Sequence, residues 1–358
     1  MVGKVLCGEY IKGLSFDRYD NYLLRGIENL EDFRLETQKN YRNKSFFSKG
    51  YHYFLEIQGY KRKLKKIPKD KIILVNNSFS SSYKYISKLK NKKVVIVHDL
   101  FHLSVFKTEK NLLKKLLFYF TFNFKIVKRL NKFDKIIAIS NTTKEDLIKF
   151  GVKENKIIVV YNGIDLEKFK PNKKAKVQYK NYIVSVGDEG GRKNTSGIIK
   201  AFKLLKKDFP KLKLIKIGKV RTTRRENTLK LIKEHKLEIG KDVIFTGFVS
   251  DEKLTAYYSK ALFLLFPSFK EGFGFPIVEA EACGCPVITS NFGPMNELVP
   301  NKKFTVNPRN TKEIYETCKK LISDKKLRTA ISKDGIKHSK KFDWKNTTKK
   351  IGGVLDEI

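Results

Sequence analysis

The stretch that most constrains this chain is Ala261-Leu-Phe-Leu-Leu-Phe-Pro and its continuation, Ser268-Phe-Lys-Glu-Gly-Phe-Gly-Phe-Pro-Ile-Val-Glu-Ala. An apolar run closed by Pro267 reads as a short buried strand, and Pro276 suits the first position of a helix, where a missing N–H costs nothing. Gly272 and Gly274 supply the turn between them. Strand, glycine turn and helix in that order make one βα unit of a parallel α/β sheet. Such a turn aims backbone amides at an anion, and the helix dipole adds partial positive charge at the same end. A diphosphate can sit there without a metal. Glu279 then falls in the first helical turn, placed to take the two hydroxyls of a ribose as the acidic residue of dinucleotide sites does. Glu271 stays in the loop, where it can face a sugar.

The spacing of two glutamates is weak by itself, because surface helices carry such pairs for solubility; the glycines, the proline and the preceding strand give it meaning. Glu271-Gly-Phe-Gly-Phe-Pro-Ile-Val-Glu-Ala, followed by Ala282-Cys-Gly-Cys-Pro-Val-Ile, resembles the signature of the GT-B fold retaining glycosyltransferases of family 4, the glycosyl transferases group 1. That resemblance implies an α/β chain of two doubly wound Rossmann-like domains facing a cleft, with a C-terminal helix crossing back to the first domain. It also implies transfer of a hexose from a nucleotide diphosphate sugar to an acceptor hydroxyl, with no cofactor and no metal. No Asp-x-Asp occurs in the sequence, so nothing in it suggests a metal-bridged diphosphate.

At 358 residues the chain is long for one core and natural for two domains, and with 41% hydrophobic residues both can bury cores. No apolar run of about eighteen residues occurs, and Met1-Val-Gly-Lys-Val-Leu-Cys-Gly-Glu is too short and interrupted for a signal peptide. The expectation is a cytoplasmic protein, with the inner face of a membrane as a candidate surface. The cysteines at 7, 283, 285 and 318 form no zinc or disulfide spacing, and Cys283 and Cys285 read as small buried residues. A net charge of +39 divides almost evenly, +19 over residues 1–170 and +20 over the remainder, which favours a compositional bias. Dense blocks such as Lys61-Arg-Lys-Leu-Lys-Lys still look like a surface that meets polyanions.

Alternating apolar runs and amphipathic stretches place strands at Lys4–Cys7, Lys71–Val75, Val94–Val97, Lys135–Ile139 and Lys156–Val160, with a further one near Phe33–Thr37. The polar segment Glu167–Tyr179, with Pro171, reads as a linker. A second series follows, with strands at Tyr182–Val186, Leu212–Ile217, Val243–Phe245, Ala261–Phe266 and Val287–Thr289. The expected division is therefore an acceptor-side domain over 1–170, a nucleotide-sugar-binding domain over 171–340, and a returning helix over 341–358. Phe342-Asp-Trp344 resembles the usual start of that helix in the family.

Other motifs carry charge or polarity to strand ends. Gly187-Asp-Glu-Gly-Gly-Arg-Lys-Asn-Thr-Ser opens a helix after the first strand of the second domain. It resembles the family's Arg-Lys-Asn motif, which makes Arg192 and Lys193 donor-diphosphate contacts. An Arg clamps phosphate oxygens bidentately and a Lys offers a compact charge for a leaving group. Asp188 departs from members that carry Arg directly after the strand glycine. His98-Asp99 ends the strand Val94–Val97 at the edge where open α/β sheets bind ligands, and it resembles the family's His-Asp, whose His contacts the donor sugar. Gly13 stands where the family has a glycine loop, and Phe248 lies in a loop that resembles the one whose backbone contacts the nucleobase. Ser140-Asn-Thr-Thr-Lys-Glu reads as a capped helix start, with Asn141 or Thr142 as the cap.

The resemblance thus assigns catalysis to Glu271, His98 and Lys193, and donor binding to Arg192, Lys193, Gly272, Phe273, Gly274, Phe275, Glu279, Phe248 and Gly13. Partners implied are a nucleotide-sugar donor and a glycan or lipid-linked acceptor, with no specific nucleic acid. The Arg-Lys-Asn subgroup leans towards GDP-mannose. An anionic membrane is a further candidate, because helical spacing sets Phe118 and Phe122 among Lys114, Lys115, Lys125 and Arg129; packing on a neighbouring helix or subunit explains the rings equally well. Two other functions stay open. A GT-B nucleotide-sugar epimerase shares the plan but needs acid/base residues these motifs do not display, and a basic nucleic-acid-binding protein accounts for the charge but not for the glycine turn.

Overall fold

The computed structural model describes residues 3–7, 9–10, 15–36, 58–76, 83–100, 124–219 and 222–358. Gly13, Lys114, Lys115, Phe118 and Phe122 lie outside these, and so does the proposed membrane face they would form. The chain separates into two compact units, one of residues 1–162 with 344–358 and one of residues 163–343. The polar segment after Asn162 is counted with the second unit. There Ile164 N–H donates to Phe342 O at 2.7 Å, Asn172 N–H to Ser259 Oγ at 3.0 Å, and Lys260 Nζ to Lys173 O at 2.8 Å.

In the first unit the strands are β1 (Lys4–Cys7), β2 (Glu9–Tyr10), β3 (Leu30–Asp32), β4 (Leu35–Glu36), β5 (Ile72–Val75), β6 (Lys93–Val97), β7 (Lys135–Ala138) and β8 (Ile157–Val159). A parallel sheet runs β3-β1-β5-β6-β7-β8, and β2 pairs with β4 in a small separate sheet. Burial on both faces explains the unbroken apolar runs of β5 and β6. The strand expected near Phe33–Thr37 is present as β4, Leu35–Glu36, in the small sheet with β2, but the strand that joins the main sheet next to β1 is β3, Leu30–Asp32, which the sequence reading did not place. Only Leu30 is buried there while Glu31 and Asp32 face solvent, so this edge strand has no hydrophobic run to betray it. A second correction concerns the helix Asn141–Lys149, which is capped one residue earlier than expected. Ser140 Oγ accepts the Thr143 N–H at 3.0 Å.

The helix Trp344–Asp356 closes the first unit by packing on the helix Ser15–Gly26. Trp344 stacks on Tyr22 with ring centroids 4.6 Å apart and meets Tyr19 edge-on at 4.7 Å. The helices approach so closely that a Cβ on Gly26 would come within 2.5 Å of Thr348 Oγ1. Lys4 Nζ pairs with Asp356 Oδ1 at 2.6 Å near the far end.

The second unit carries β9 (Tyr182–Val186), β10 (Lys213–Ile217), β11 (Val243–Gly247), β12 (Leu264–Phe266), β13 (Val287–Ser290) and β14 (Thr305–Val306). They form a parallel sheet in the order β11-β10-β9-β12-β13-β14. Its core gathers Ile183, Phe202, Leu265, Ile288 and Leu321. The helix Thr195–Asp208 covers one face because Ile198, Ile199, Ala201, Phe202 and Leu205 fall on one side of it. The two-residue strand β14 escapes sequence reading because so short an element has no period. All four cysteines are free thiols and buried. Among the described residues no helix is long and apolar enough to cross a membrane.

Trp344 is 8% exposed and fills the seam between two helices, so Trp344→Ala should cost about 3–5 kcal/mol. Urea denaturation followed by far-UV circular dichroism checks this, the protein's single tryptophan being lost in the variant; an unshifted midpoint would show the seam to be dispensable.

Candidate functional site

The strand order of the second sheet explains how motifs about eighty residues apart meet. β9 lies between β10 and β12, so the loops leaving β9 and β12 emerge side by side at one sheet edge. This is a topological switch point, the place where open α/β sheets hold ligands. The first loop, 187–194, ends in a short 3-10 turn, Gly191–Lys193, and Asn194 follows in the left-handed region at φ 53°. Asn194 accepts the Gly197 N–H at 3.1 Å, capping the helix Thr195–Asp208, and its Nδ2 donates to Pro267 O at 3.1 Å and Pro308 O at 2.7 Å. One buried amide therefore anchors the β9 loop to the β12 loop. Phe269 N–H, donating to Arg192 O at 2.8 Å, adds a backbone tie.

Between these loops sits Glu271. Arg192 Nη1 donates to Glu271 Oε2 at 2.6 Å and to Lys270 O at 3.1 Å, while Lys193 Nζ lies 2.8 Å from Glu271 Oε1. Lys193 and Glu271 side chains are only 12% and 8% exposed, against 42% for Arg192. Burial pulls the Lys193 ammonium below its ordinary value, and the Glu271 charge opposes that pull. Beneath it, the Phe266 ring centroid is 4.6 Å from Lys193 Nζ, a cation–π contact. Residues 272–274 continue into the helix Phe275–Ala282, with Gly274 at φ 121° as its N-cap and Pro276 in the first turn. That φ is open to glycine and strained for any other residue. Phe273 and Phe275 meet edge-on at 5.2 Å. On the same helix Glu279 Oε2 accepts from Tyr258 Oη at 3.3 Å. Arg192, Lys193, Glu271, Gly272, Phe273, Gly274, Phe275 and Glu279 thus share one end of one sheet.

Phe248 stands apart from that group. It follows the edge strand β11 and is 77% exposed, beside a pocket lined by Tyr179, Phe245, Lys253 and Tyr257. His98 belongs to the first unit, at the end of β6, where its Nε2 lies 2.7 Å from Asn76 Oδ1 and the Tyr19 ring meets it edge-on at 4.8 Å. Burial pulls its imidazole down to about 4, so the ring is neutral at physiological pH.

Sequence reasoning missed the ions under the β9 loop. Lys216 on β10 is buried and donates to Gly187 O at 3.2 Å. Desolvation pulls its ammonium down to about 8, with the Glu189 charge pushing back. Glu189 pairs with Arg225 at 2.6 Å, and Arg225 lies 3.7 Å above the Phe245 ring. Asp188, the departure from the family pattern, pairs with Arg224 at 3.2 Å and accepts the Gly190 N–H at 3.1 Å. A lysine inside an otherwise apolar strand, Leu-Ile-Lys-Ile, was the signal available. Among the described residues, no cluster of three or more His, Cys, Asp and Glu is placed to hold a metal ion.

Comparison with known proteins adds a family frame. Residues 167–338 match the model "Glycosyl transferases group 1" and residues 26–168 match "Glycosyltransferase Family 4". The O-antigen chain mannosyltransferase RfbU of Salmonella typhimurium is 31% identical over 241 residues, 67% of this chain and 64% of that protein. The serotype-specific mannosyltransferase WbdA of Escherichia coli is 26% identical over 60% of this chain but only 28% of its own length. The chain therefore spans less than two thirds of either relative. Among solved structures, Anabaena HepE in complex with UDP and glucose superposes with a TM-score of 0.78 at 17% identity, covering 100% of both chains. At that identity the likeness speaks to the fold, which is GT-B.

Behind the signature helix, Glu281 Oε2 lies 2.8 Å from His338 Nδ1, with the carboxylate side chain 4% exposed. Burial pushes the Glu281 carboxyl up to about 7, against the lowering pull of His338 and Lys302. Because the folded value lies above the unfolded one, this group stabilises the fold fully below about pH 4.3, and the contribution is lost as pH rises through about 7. Glu281→Gln should abolish that slope, so the wild type should lose more thermal stability than the variant between pH 5 and 8. Parallel melting curves across that range would refute the assignment.

Proposed function

The chain belongs to the group 1 glycosyltransferases of family 4, and on that footing we propose that it moves a hexose from a nucleotide diphosphate sugar to an acceptor hydroxyl, retaining the anomeric configuration and using no metal. The observation that carries this reading is the Glu271 carboxylate held between Arg192 and Lys193 beside the 272–274 turn. Two cations, a glycine turn and a helix N-terminus converge where a diphosphate would develop charge. Both cations pair with the Glu271 carboxylate, a negative charge set where that of a diphosphate would lie. When the donor binds, the diphosphate takes over the cations, and Glu271 turns to the sugar hydroxyls and the positive charge growing near the anomeric carbon.

As the bond from the anomeric carbon to the phosphate oxygen breaks, charge collects on the leaving diphosphate. Arg192, Lys193 and the amides around Gly272–Phe275 receive it. The departing oxygen takes the acceptor's proton on the same face of the sugar, so no enzyme nucleophile is required. Glu279 takes the ribose hydroxyls and the backbone at Phe248 reads the base. His98, neutral, contacts a sugar hydroxyl. Mannose from GDP-mannose is the favoured donor, supported by the Arg-Lys-Asn motif and by the two mannosyltransferase relatives. A glycan or lipid-linked acceptor fits the same relatives, whose names place RfbU in O-antigen chain synthesis.

Thermal-shift screening of GDP- and UDP-sugars in EDTA tests the reading directly. A ligand at a hundred times its dissociation constant stabilises by about 2.7 kcal/mol; silence from every nucleotide sugar, with a clear response to arbitrary DNA, would favour the nucleic-acid alternative. Lys193→Ala should lower turnover at saturating donor by about 2–4 kcal/mol of transition-state stabilisation while changing donor affinity less. Unchanged turnover would remove Lys193 from the leaving-group role.

A further inference from the structure

The β9 loop that presents Arg192 and Lys193 rests on a buried lysine. Lys216 stands next to last in β10 and is 3% exposed, and its Nζ reaches the start of that loop to donate to Gly187 O at 3.2 Å. Gly187 is gripped from several sides. Its N–H donates to Ile217 O at 2.8 Å. Its carbonyl passes so close to the end of β10 that a Cβ on Gly218 would come within 2.4 Å of the oxygen. Across its Cα lies the Lys193 stem, with Cε 2.9 Å from where a Gly187 Cβ would stand. One glycine therefore meets Lys216 through its carbonyl and Lys193 through its bare Cα. Burial pulls the Lys216 ammonium down to about 8, Glu189 and Asp188 on the loop oppose the fall, and Lys193 and Arg225 add to it. At neutral pH the group is still mostly charged, and a charged donor makes the stronger hydrogen bond. A methionine would fill the same space in Leu214-Ile-Lys-Ile without desolvating a charge. The lysine gives up stability there and gains a hold on the loop.

We propose that Lys216 is a positioning residue for the transfer: by pinning the Gly187 carbonyl it fixes the floor on which the Lys193 side chain lies, so that the Lys193 ammonium is delivered to one place. The head of Lys193 is held from the β12 side, by Glu271 Oε1 at 2.8 Å and by the Phe266 ring at 4.6 Å. Its stem is held from the β9 side, by Gly187. When a diphosphate draws the ammonium away from Glu271, the stem contact still directs it. A catalytic cation misplaced by about 1 Å loses much of its effect, so a group that never touches the donor can govern turnover. The inference rests on the reading of Lys193 as a leaving-group cation only for its effect on turnover; the contact of Lys216, Gly187 and Lys193 is a property of the second unit.

A double-mutant cycle on the full-length protein tests this, read as GDP release from GDP-mannose. Lys216→Met should lower kcat about tenfold with KM for the donor within about twofold. In a Lys193→Ala background the same change should cost less than about twofold, because a residue that acts through Lys193 then has nothing to position. Where Lys193→Ala itself lowers turnover, an equal loss in both backgrounds, or no loss from Lys216→Met, overturns the proposal. Lys216→Gln keeps a donor on a shorter arm and runs the same cycle should the methionine variant fail to fold; it should lose about threefold, again less without Lys193. Lysine-labelled protein gives a readout that needs no donor. The Lys193 Hε signals, assigned by their loss in Lys193→Ala, lie by the face of Phe266 and should be shifted upfield; in Lys216→Met or Lys216→Gln they should move towards the free-lysine position. Signals that stay in place overturn the positioning. If they move while Lys193→Ala keeps full turnover, the positioning stands and the leaving-group reading of Lys193 falls. If wild type releases no GDP, the donor reading falls and the Lys193 signals alone decide.

Discussion

Much of the second unit depends on one carboxylate held between two cations. Glu271 is nearly buried, and a buried charge is tolerable only when it is paired and hydrogen-bonded. Arg192 and Lys193 satisfy that condition from a loop about eighty residues earlier, which in turn requires β9 and β12 to be neighbours and Asn194 to lock their loops together. The parallel sheet supplies the adjacency and the amide supplies the register.

The surrounding ions follow the same rule of compensation. Lys216, Glu189 and Arg225 lie under the β9 loop as a set, and Glu281 meets His338 behind the signature helix. Each is costly to desolvate alone and acceptable in company. The large net charge of the chain is therefore no guide to these groups. The excess lysine is spread over both halves of the sequence, whereas the groups at the strand ends are balanced locally.

In the first unit the same problem is solved with fewer charges. Arg34 meets Asp20 and Asp32, and the amide of Asn76 bridges Asp20 and the neutral His98 ring. Aromatic contacts from Tyr19 and Tyr22 tie this region to Trp344, so a helix from the far end of the sequence becomes part of the wall that holds it. Deleting the last helix would thus expose more than a hydrophobic face.

The sequence by itself determined the elements whose signal is local. Continuous apolar runs marked β1, β5, β6, β7 and β9, since strands buried on both faces need no polar residues. The glycine turn before Pro276 marked a helix start, because only glycine accepts the φ of Gly274 at no cost. Glu271, Arg192 and Lys193 were legible as candidates from their motifs. Their mutual contact was not, because nothing in a sequence states which parallel strands lie side by side. Tertiary structure decided that, and it decided the elements with little hydrophobic content, β3 at an edge of the first unit's sheet and β14 at an edge of the second unit's sheet, which exist because a neighbour offers them hydrogen bonds. It also decided the roles of Asn194 and Lys216. Each is an ordinary polar residue in the chain, and its meaning comes from the buried partner that the fold places within hydrogen-bonding distance.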